Sequence, residues 1–262
     1  MKKTTLIDTH THTNIEPLTQ EFDQIAKECL DQQIGFNIVG VDLATSKLAI
    51  KQSKQYDHLM CSVGIHPTEF KELNDDIIDQ LDQLIADNLD VISSIGECGL
   101  DYYHQPYDKN LQKEFFIKQI NLAKKYNKAL MMHIRDAHDD AIALLKEQQV
   151  KNAIIHCFTD KSSYIDQYNE LGCYISFPGV ITFKPTANNN ILDLYEAVKK
   201  TPLDKILVET DAPYLTPAPY RGKVNYPQYV QHTATTIAKI LNKSVEEIKA
   251  ITTANAKRVF NI

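Results

Sequence analysis

The sequence predicts an α/β protein of the (β/α)8-barrel class, the TIM barrel. Eight apolar, β-branched runs alternate with helical patterns along the 262 residues, and each run has the length of a strand buried on both faces. Eight strand–helix units also suit a chain of this length. An open doubly wound sheet is the alternative, but it usually has fewer strands and a glycine-rich turn after the first. This chain has histidines at that point, so we favour the barrel.

The predicted strands share a short apolar run that ends in a polar or turn residue. In chain order they are TTLIDTH (4–10), FNIVGVD (36–42), HLMCSVGIH (58–66), VISSIGE (91–97), ALMMHIR (129–135), NAIIHCF (152–158), GCYISF (172–177) and KILVETD (205–211).

The segments between these runs have the spacing of helices. Two apolar stripes show it: Leu111, Phe115, Leu122 and Tyr126, and then Val230, Ala234, Ile237 and Leu241. Residues 74–76 (NDD) and Asp160 are predicted N-caps. Ser244 and Glu247 have the spacing of a capping box that opens a last helix.

Composition and charge exclude several classes of protein. No apolar run approaches the roughly 20 residues of a membrane span, so no membrane partner is expected. A formal net charge of −6 argues against a protein that coats nucleic acid through bulk charge. Five scattered cysteines without a C-x-x-C pair fit reduced thiols, and we expect a cytoplasmic location. No linker divides the chain, which predicts one domain over residues 1–262. Nothing in the sequence indicates an obligate protein partner.

Histidines and carboxylates stand where the predicted strands end. Asp8, His10 and His12 alternate along the first strand and therefore share one face. The other strand ends contribute His66, Glu97, His133, His156, Glu209 and Asp211. A lone histidine at such a place is more often a hydrogen-bonded loop residue, and a surface strand can carry an H-x-H pair by chance. In a closed barrel, however, all these residues converge at one end, and grouping them would be costly without a cation.

Several motifs follow one another in an order that resembles a known family. They are IDTHTH, GIHP, IGECGLDY, HIRDA, HCF, SFPGVITFK, ETDAPYL and YRGKVN, with TTANAKRVF near the C-terminus. Together they resemble the TatD family of metal-dependent hydrolases, within the amidohydrolase-like barrels, over essentially the whole chain. The resemblance implies a metal site at the strand ends with two divalent ions, which could be Zn²⁺, Mn²⁺ or Mg²⁺. It also implies a deoxyribonuclease, often a 3′→5′ exonuclease acting on single-stranded DNA ends.

The resemblance further implies residue roles at this centre. The implied metal ligands are His10, His12, Glu97, His133, His156 and Asp211. Glu97 would bridge the two ions, and Asp211 would bind the first ion and face the nucleophilic water. His66 stands where the family places a substrate-facing histidine, so Asp211, Glu97 and His66 form the implied catalytic set. A carboxylated-lysine bridge, as in phosphotriesterase-like relatives, would need a lysine where Glu97 stands.

Basic residues near the implied centre would bind an anionic substrate. The matching positions are Arg135, Lys184, Arg221 and Lys223, and Tyr102, Tyr103 and Phe183 could stack on bases. The chain departs from the family pattern at the substrate rim, where it has Thr68, His104, Val224 and Tyr226. A second function therefore stays open: hydrolysis of another ester, such as a D-aminoacyl ester on tRNA or a small phosphoester. A non-enzymatic binding protein is the third possibility.

Overall fold

Eight parallel strands form one sheet in chain order, from β1 to β8. The computed structural model of the chain describes residues 4–69 and 75–262. The strands are β1 (Leu6–Thr11), β2 (Ile34–Val39), β3 (Leu59–Val63), β4 (Ile92–Asp101), β5 (Ala129–Arg135), β6 (Ala153–Ile155), β7 (Tyr174–Phe177) and β8 (Ile206–Val208). Their side chains are almost all buried, as expected for a parallel sheet covered on both faces.

Helices follow the strands around the outside of the sheet. Those within the described residues are α1 (Leu18–Asp31), α2 (Leu43–Ser53), α3 (Asp75–Ala86), α4 (Lys109–Tyr126), α5 (His138–Glu147), α6 (Tyr164–Glu170), α7 (Ile191–Lys200), α8 (Val230–Ile240) and α9 (Val245–Phe260). The alternation confirms the predicted (β/α)8 barrel, with α9 added after the last strand–helix unit.

The first and last strands meet and bring the sheet close to a closed ring. Thr11 pairs with Ala212 in a parallel bridge. The backbone N–H of His12 donates to the Ala212 carbonyl at 2.7 Å, and the N–H of Asp211 donates to the His10 carbonyl at 2.9 Å. These bonds place the histidines of β1 directly beside the acidic segment that follows β8.

Two of the predicted helix caps can be compared with the structure. Ser244 accepts the N–H of Glu247 at 3.1 Å while Glu247 accepts the N–H of Ser244 at 2.9 Å, which confirms the capping box of α9. The prediction of Asp160 as an N-cap is wrong, because α6 begins only at Tyr164 and Asp160 accepts the N–H of Lys161 instead. Of the third predicted cap, residue 74 lies outside the described residues.

Several strand ends differ from the predicted ones. β2 ends at Val39 rather than at residue 42, and β6 ends at Ile155, just before His156. β3 ends at Val63, before His66, and β8 ends at Val208, before Asp211. These side chains therefore stand on loops just above the strands. β4 instead continues four residues beyond Glu97, because Cys98–Asp101 pairs with β5 after a register shift. A buried strand residue at position 101 was not expected from the sequence.

Candidate metal centre

Five histidines and two carboxylates meet at the carboxyl end of the barrel. They are His10, His12, His66, Glu97, His133, His156 and Asp211. All of the catalytic and ligand side chains predicted from the sequence therefore lie together. These residues form three overlapping groups that could each hold a metal ion, because the possible ligand atoms of a group all lie within 4.8 Å of one another. The groups are His10–His12–Glu97, His10–His156–Asp211 and His66–Glu97–His133.

Glu97 lies between two sets of histidines, one facing each carboxylate oxygen. Oε2 lies 3.3 Å from Nε2 of His10 and 3.7 Å from Nε2 of His12. Oε1 lies 2.8 Å from Nε2 of His156 and 3.1 Å from Nδ1 of His133. The fifth histidine, His66, also faces Oε1, with its Nε2 at 3.4 Å. One buried carboxylate is thus shared by two neighbouring groups of donors.

Asp211 lies beside the first of these two sets, His10 and His12. Its Oδ1 lies 3.4 Å from Nε2 of His12 and 3.7 Å from Nε2 of His10. The residue has a positive φ of 56°, a backbone conformation that Asp and Asn tolerate better than most residues. Since the side chain keeps 13% of its exposure, Asp211 reaches both the histidines and the open cavity.

The shape of β4 at Gly96 brings Glu97 into this position. Gly96 has a φ of +148°, and a Cβ there would stand 2.3 Å from the carbonyl oxygen of Met131 on β5. Only glycine permits so close an approach of the two backbones. The sequence Gly96–Glu97 therefore combines a tight contact between strands with a carboxylate at the barrel end.

Hydrogen bonding within the cluster leaves imidazole nitrogens free for a cation. Nε2 of His10 and Nε2 of His12 are 3.1 Å apart. Nδ1 of His12 must donate to the Val39 carbonyl at 2.9 Å, because a carbonyl only accepts, so in the neutral ring its Nε2 carries the lone pair. Nε2 of His156 is buried without an aligned hydrogen-bond partner among the described residues. Buried nitrogens of this kind, with carboxylates beside them, are the donor set of a divalent transition-metal site.

The charges in the cluster keep its carboxylates ionised. Burial alone would raise the pKa of Glu97, but the neighbouring His156, His66 and His10 outweigh it and hold the pKa well below its usual value. The pKa of Asp211 is also lowered, since its contact with His12 and the charge of His10 outweigh burial. For His10 itself, burial lowers the pKa and favours the neutral ring. The pKa values of His12, His133 and His156 are instead raised, because the carboxylates beside them outweigh burial. The centre thus groups anionic oxygens with imidazole rings that they draw toward the charged form, and a cation could take the place of those protons.

Two further buried acids contact histidines of the cluster from outside. Oδ2 of Asp101 lies 2.9 Å from Nε2 of His133 and 2.8 Å from Nδ1 of His104. Oε1 of Glu209 accepts the N–H of Cys157 at 2.7 Å and lies 3.4 Å from Nδ1 of His156. Sequence reasoning gave no role to Asp101 or His104. Asp101 contacts the proposed ligand His133 only because β4 pairs with β5. The spacing of residues along the sequence does not reveal such a contact.

A cavity of about 650 Å³ opens above the cluster, which is within the usual size of a small-ligand site. Arg135 is in its wall and lies 4.8 Å from the ring of Tyr103, which is 56% exposed. Tyr214, 52% exposed, also lines the cavity, near His12. Arg135 and two exposed aromatic rings therefore lie at or beside the open side of the cluster.

The other predicted substrate-binding residues lie farther out. Lys184, Arg221 and Lys223 are exposed and are not among the cavity-wall residues within the described chain. The guanidinium of Arg221 lies 3.5 Å from the ring centre of Phe183, so this loop is held against the segment after β7. Tyr102, predicted to stack on bases, instead donates its hydroxyl to Asp140 at 2.7 Å.

A parallel barrel with histidines and carboxylates grouped at its carboxyl end is an architecture of metal-dependent hydrolases. Comparison with known proteins identifies the family. The chain belongs to the family described as TatD related DNase, whose sequence profile matches residues 7–261.

Curated relatives agree on the class of reaction. The chain is 36% identical over 260 residues to the uncharacterized metal-dependent hydrolase YabD of Bacillus subtilis, covering 98% of this chain and 99% of the relative. It is 34% identical over 263 residues to the uncharacterized metal-dependent hydrolase YcfH of Escherichia coli, covering 98% and 96%. This chain is therefore a metal-dependent hydrolase of the TatD family.

Solved structures confirm the fold. YJJV, a TatD homologue from Escherichia coli, superposes with a TM-score of 0.91 at 22% identity over 99% of both chains. A mutant organophosphorus hydrolase from Deinococcus radiodurans gives a TM-score of 0.67 at 13% identity, over 97% of this chain and 92% of the other.

Among the helices of the described residues, none combines the length and apolar character needed to cross a membrane.

Proposed function

We propose that this chain is a divalent-metal-dependent deoxyribonuclease that removes nucleotides from the 3′ ends of single-stranded DNA. The observation that carries the proposal is the position of Glu97 between two sets of histidines, because nucleases commonly use paired cations. The family's description as DNases supports DNA as the substrate.

The residues fit two neighbouring divalent cations. In this proposal His10, His12 and Asp211 hold one ion, His133 and His156 hold the other, and Glu97 is shared. The histidine-rich donor set favours Zn²⁺ or Mn²⁺, and Mg²⁺ is the third candidate. Such ions act as Lewis acids on phosphoryl oxygens and make water a stronger nucleophile at neutral pH.

Asp211 is proposed to orient the attacking water and accept its proton. Its carboxylate is ionised, reaches the cavity and stands beside His10 and His12. A base must come within hydrogen-bond distance of the proton it removes, and Asp211 combines that access with the right charge state.

His66 is proposed to donate a hydrogen bond from Nε2 to the leaving 3′-oxygen rather than bind metal, while water supplies the proton that this oxygen takes up. Its Nδ1 accepts the backbone N–H of Thr68 at 3.2 Å and lies 2.7 Å from the hydroxyl of the same residue. A ring nitrogen that accepts an N–H carries no hydrogen, so the hydrogen of the neutral ring is on Nε2. That Nε2–H points toward Glu97 and the cavity, where it can serve as a donor.

Replacing His66 with alanine tests this assignment. We expect kcat on DNA to fall about 100-fold, while the affinity for divalent metal is retained. On bis(p-nitrophenyl) phosphate the loss should be much smaller, since p-nitrophenolate is a good leaving group and gains little from a hydrogen bond. Steady-state kinetics on both substrates, together with metal titration, measure the two effects. An equal loss on both substrates, or loss of bound metal, would show that His66 does not stabilise the leaving oxygen.

The basic residues are expected to bind phosphates at different distances from the centre. Arg135, in the cavity wall, should contact the phosphate next to the scissile bond, so Arg135→Ala should raise KM roughly tenfold for oligonucleotides of any length, the loss of one charge-assisted contact. Arg221 lies farther out, so Arg221→Ala should raise KM only for longer strands. KM measured on a short and a long oligonucleotide separates the two positions. An unchanged KM for Arg221→Ala on long strands would mean that this loop does not bind substrate.

Cleavage of end-labelled single-stranded DNA tests the proposed function as a whole. The metal-free protein is supplied with Mg²⁺, Mn²⁺ or Zn²⁺, and strands labelled at the 3′ or the 5′ end are followed on a gel. Metal-dependent loss of nucleotides from the 3′ end, absent in Asp211→Asn, supports the proposal. Folded, metal-loaded protein that leaves DNA intact contradicts it, and the aminoacyl ester and small phosphoester substrates would then be tried.

We further propose that residues 1–262 form a single hydrolase domain that works in the cytoplasm. All five cysteines are unpaired thiols, which suits a reducing compartment.

A further inference from the structure

His133 differs from the other histidines of the cluster in the ring nitrogen that it presents. His10, His12, His66 and His156 turn Nε2 toward Glu97. His133 turns Nδ1 toward Oε1 of Glu97 at 3.1 Å and directs Nε2 outward to Asp101. It therefore needs the opposite tautomer from the other proposed ligands if its inward nitrogen is to bind a cation.

Asp101 is held by two backbone N–H groups on one oxygen and by two imidazole rings on the other. Its side chain is fully buried at the end of β4. Oδ1 accepts the backbone N–H groups of Tyr103 at 2.9 Å and His104 at 2.8 Å. Oδ2 lies 2.9 Å from Nε2 of His133 and 2.8 Å from Nδ1 of His104. Two backbone N–H groups and two ring nitrogens thus converge on one carboxylate.

The backbone of Asp101 is fixed as firmly as its side chain. Its N–H donates to Oε1 of Gln112 at 2.8 Å, and its carbonyl accepts from Nε2 of Gln112 at 2.7 Å. Burial alone would raise the pKa of Asp101, but hydrogen bonds from His133 and His104 outweigh it and lower the pKa. The carboxylate is therefore both immobile and ionised.

We propose that Asp101 is a positioning residue that fixes His133 as the tautomer with hydrogen on Nε2 and a lone pair on Nδ1. An ionised carboxylate cannot donate, so the His133–Asp101 bond requires the hydrogen on the imidazole. Acids placed behind a ligand histidine orient its ring and raise its basicity. This inference rests on the metal centre of the proposed function and is independent of the substrate.

The substitution Asp101→Asn makes a sharp test, because the two sides of the new amide are not equivalent. The two backbone N–H groups hold the amide oxygen at the Oδ1 position, so the NH2 group faces His133. That NH2 can only donate, which forces Nε2 of His133 to accept and moves its hydrogen to Nδ1. The inward lone pair is lost, and we expect the affinity for Mn²⁺ or Zn²⁺ to fall by about 10–100-fold.

Asp101→Ala distinguishes positioning from a structural role. Alanine leaves His133 free to adopt either tautomer, so the affinity should fall less than in Asp101→Asn. A merely structural role predicts the reverse order, since asparagine keeps the two backbone bonds and alanine loses them. The matched control is His104→Ala, which removes a different donor from the same oxygen and should leave metal affinity unchanged.

Metal titration of the metal-free proteins by calorimetry gives the affinities. Two-bond ¹H–¹⁵N spectra of the histidine rings at about pH 9, above the ordinary pKa of imidazole, give the His133 tautomer. Hydrogen on Nε2 in the wild type and on Nδ1 in Asp101→Asn, with affinities in the order wild type, alanine, asparagine, supports the proposal. An asparagine variant that binds metal as well as or better than the alanine variant overturns it, as does equal loss in His104→Ala.

The readouts also separate this inference from the proposed substrate. Correct tautomers and affinities in a protein that does not cleave DNA leave the role of Asp101 standing and refute the nuclease. A wild-type protein that binds no divalent metal refutes the metal centre and the role of Asp101 with it.

Discussion

The substitution Asp211→Asn is expected to lower kcat about 1,000-fold, in the middle of the range for a general base, with little change in the melting temperature. Asparagine has the same shape and adopts positive φ readily, so the backbone at 56° is kept. The N–H bond to the His10 carbonyl is made by the backbone and also remains. What disappears is the anionic oxygen beside His10 and His12. Single-turnover kinetics on labelled DNA and thermal unfolding measure the two effects.

Asp136→Asn is the matched control for this experiment. Asp136 also lies at the carboxyl end of the barrel and also has a positive φ, of 53°, but its side chain is exposed. We expect normal turnover from this variant. An Asp211→Asn protein that turns over at the wild-type rate would show that Asp211 does not act as the base. A large fall in its melting temperature would show instead that the residue supports the fold.

The barrel could be predicted from the sequence because the apolar runs and the polar residues that follow them indicate the same fold. Each buried parallel strand appears as an apolar run, and the polar residues that end the runs mark the open end of the barrel. The pair His10 and His12 is predictable for the same reason, since alternation along a strand fixes their common face. Their Nε2 atoms indeed lie 3.1 Å apart.

The surroundings of the proposed ligands could not be predicted in the same way. Asp101 looks like the first residue of a loop in the segment GLDYY, and only pairing with β5 makes it the buried end of β4. Which nitrogen His133 presents then depends on this acid from the neighbouring strand. The position of Arg221 could not be predicted either, because it depends on the packing of its guanidinium on the ring of Phe183. These features depend on contacts between distant segments, which residue type and spacing do not specify.

The substitution Glu97→Ala is expected to abolish both metal binding and hydrolysis. Glu97 faces His10 and His12 through one oxygen and His133 and His156 through the other. Removing Glu97 takes a charged ligand from both proposed ions at once. The loss of metal affinity should therefore exceed the roughly 100-fold that follows from mutating residues that only contact the ligands. Glu97→Gln keeps the shape of the side chain, and the same loss is expected from it because the bridging charge is gone.

Thermal unfolding with and without metal tests this independently of any substrate. A metal at about 100 times its Kd stabilises a protein that binds it only when folded by roughly 2.7 kcal/mol. The wild type should therefore melt at a higher temperature when Mn²⁺ or Zn²⁺ is added, and Glu97→Gln should not respond. Retention of both ions and full turnover by either variant would show that Glu97 is not shared. Loss of one ion with the other retained would show that Glu97 binds a single ion, since removing a bridging carboxylate affects both ions.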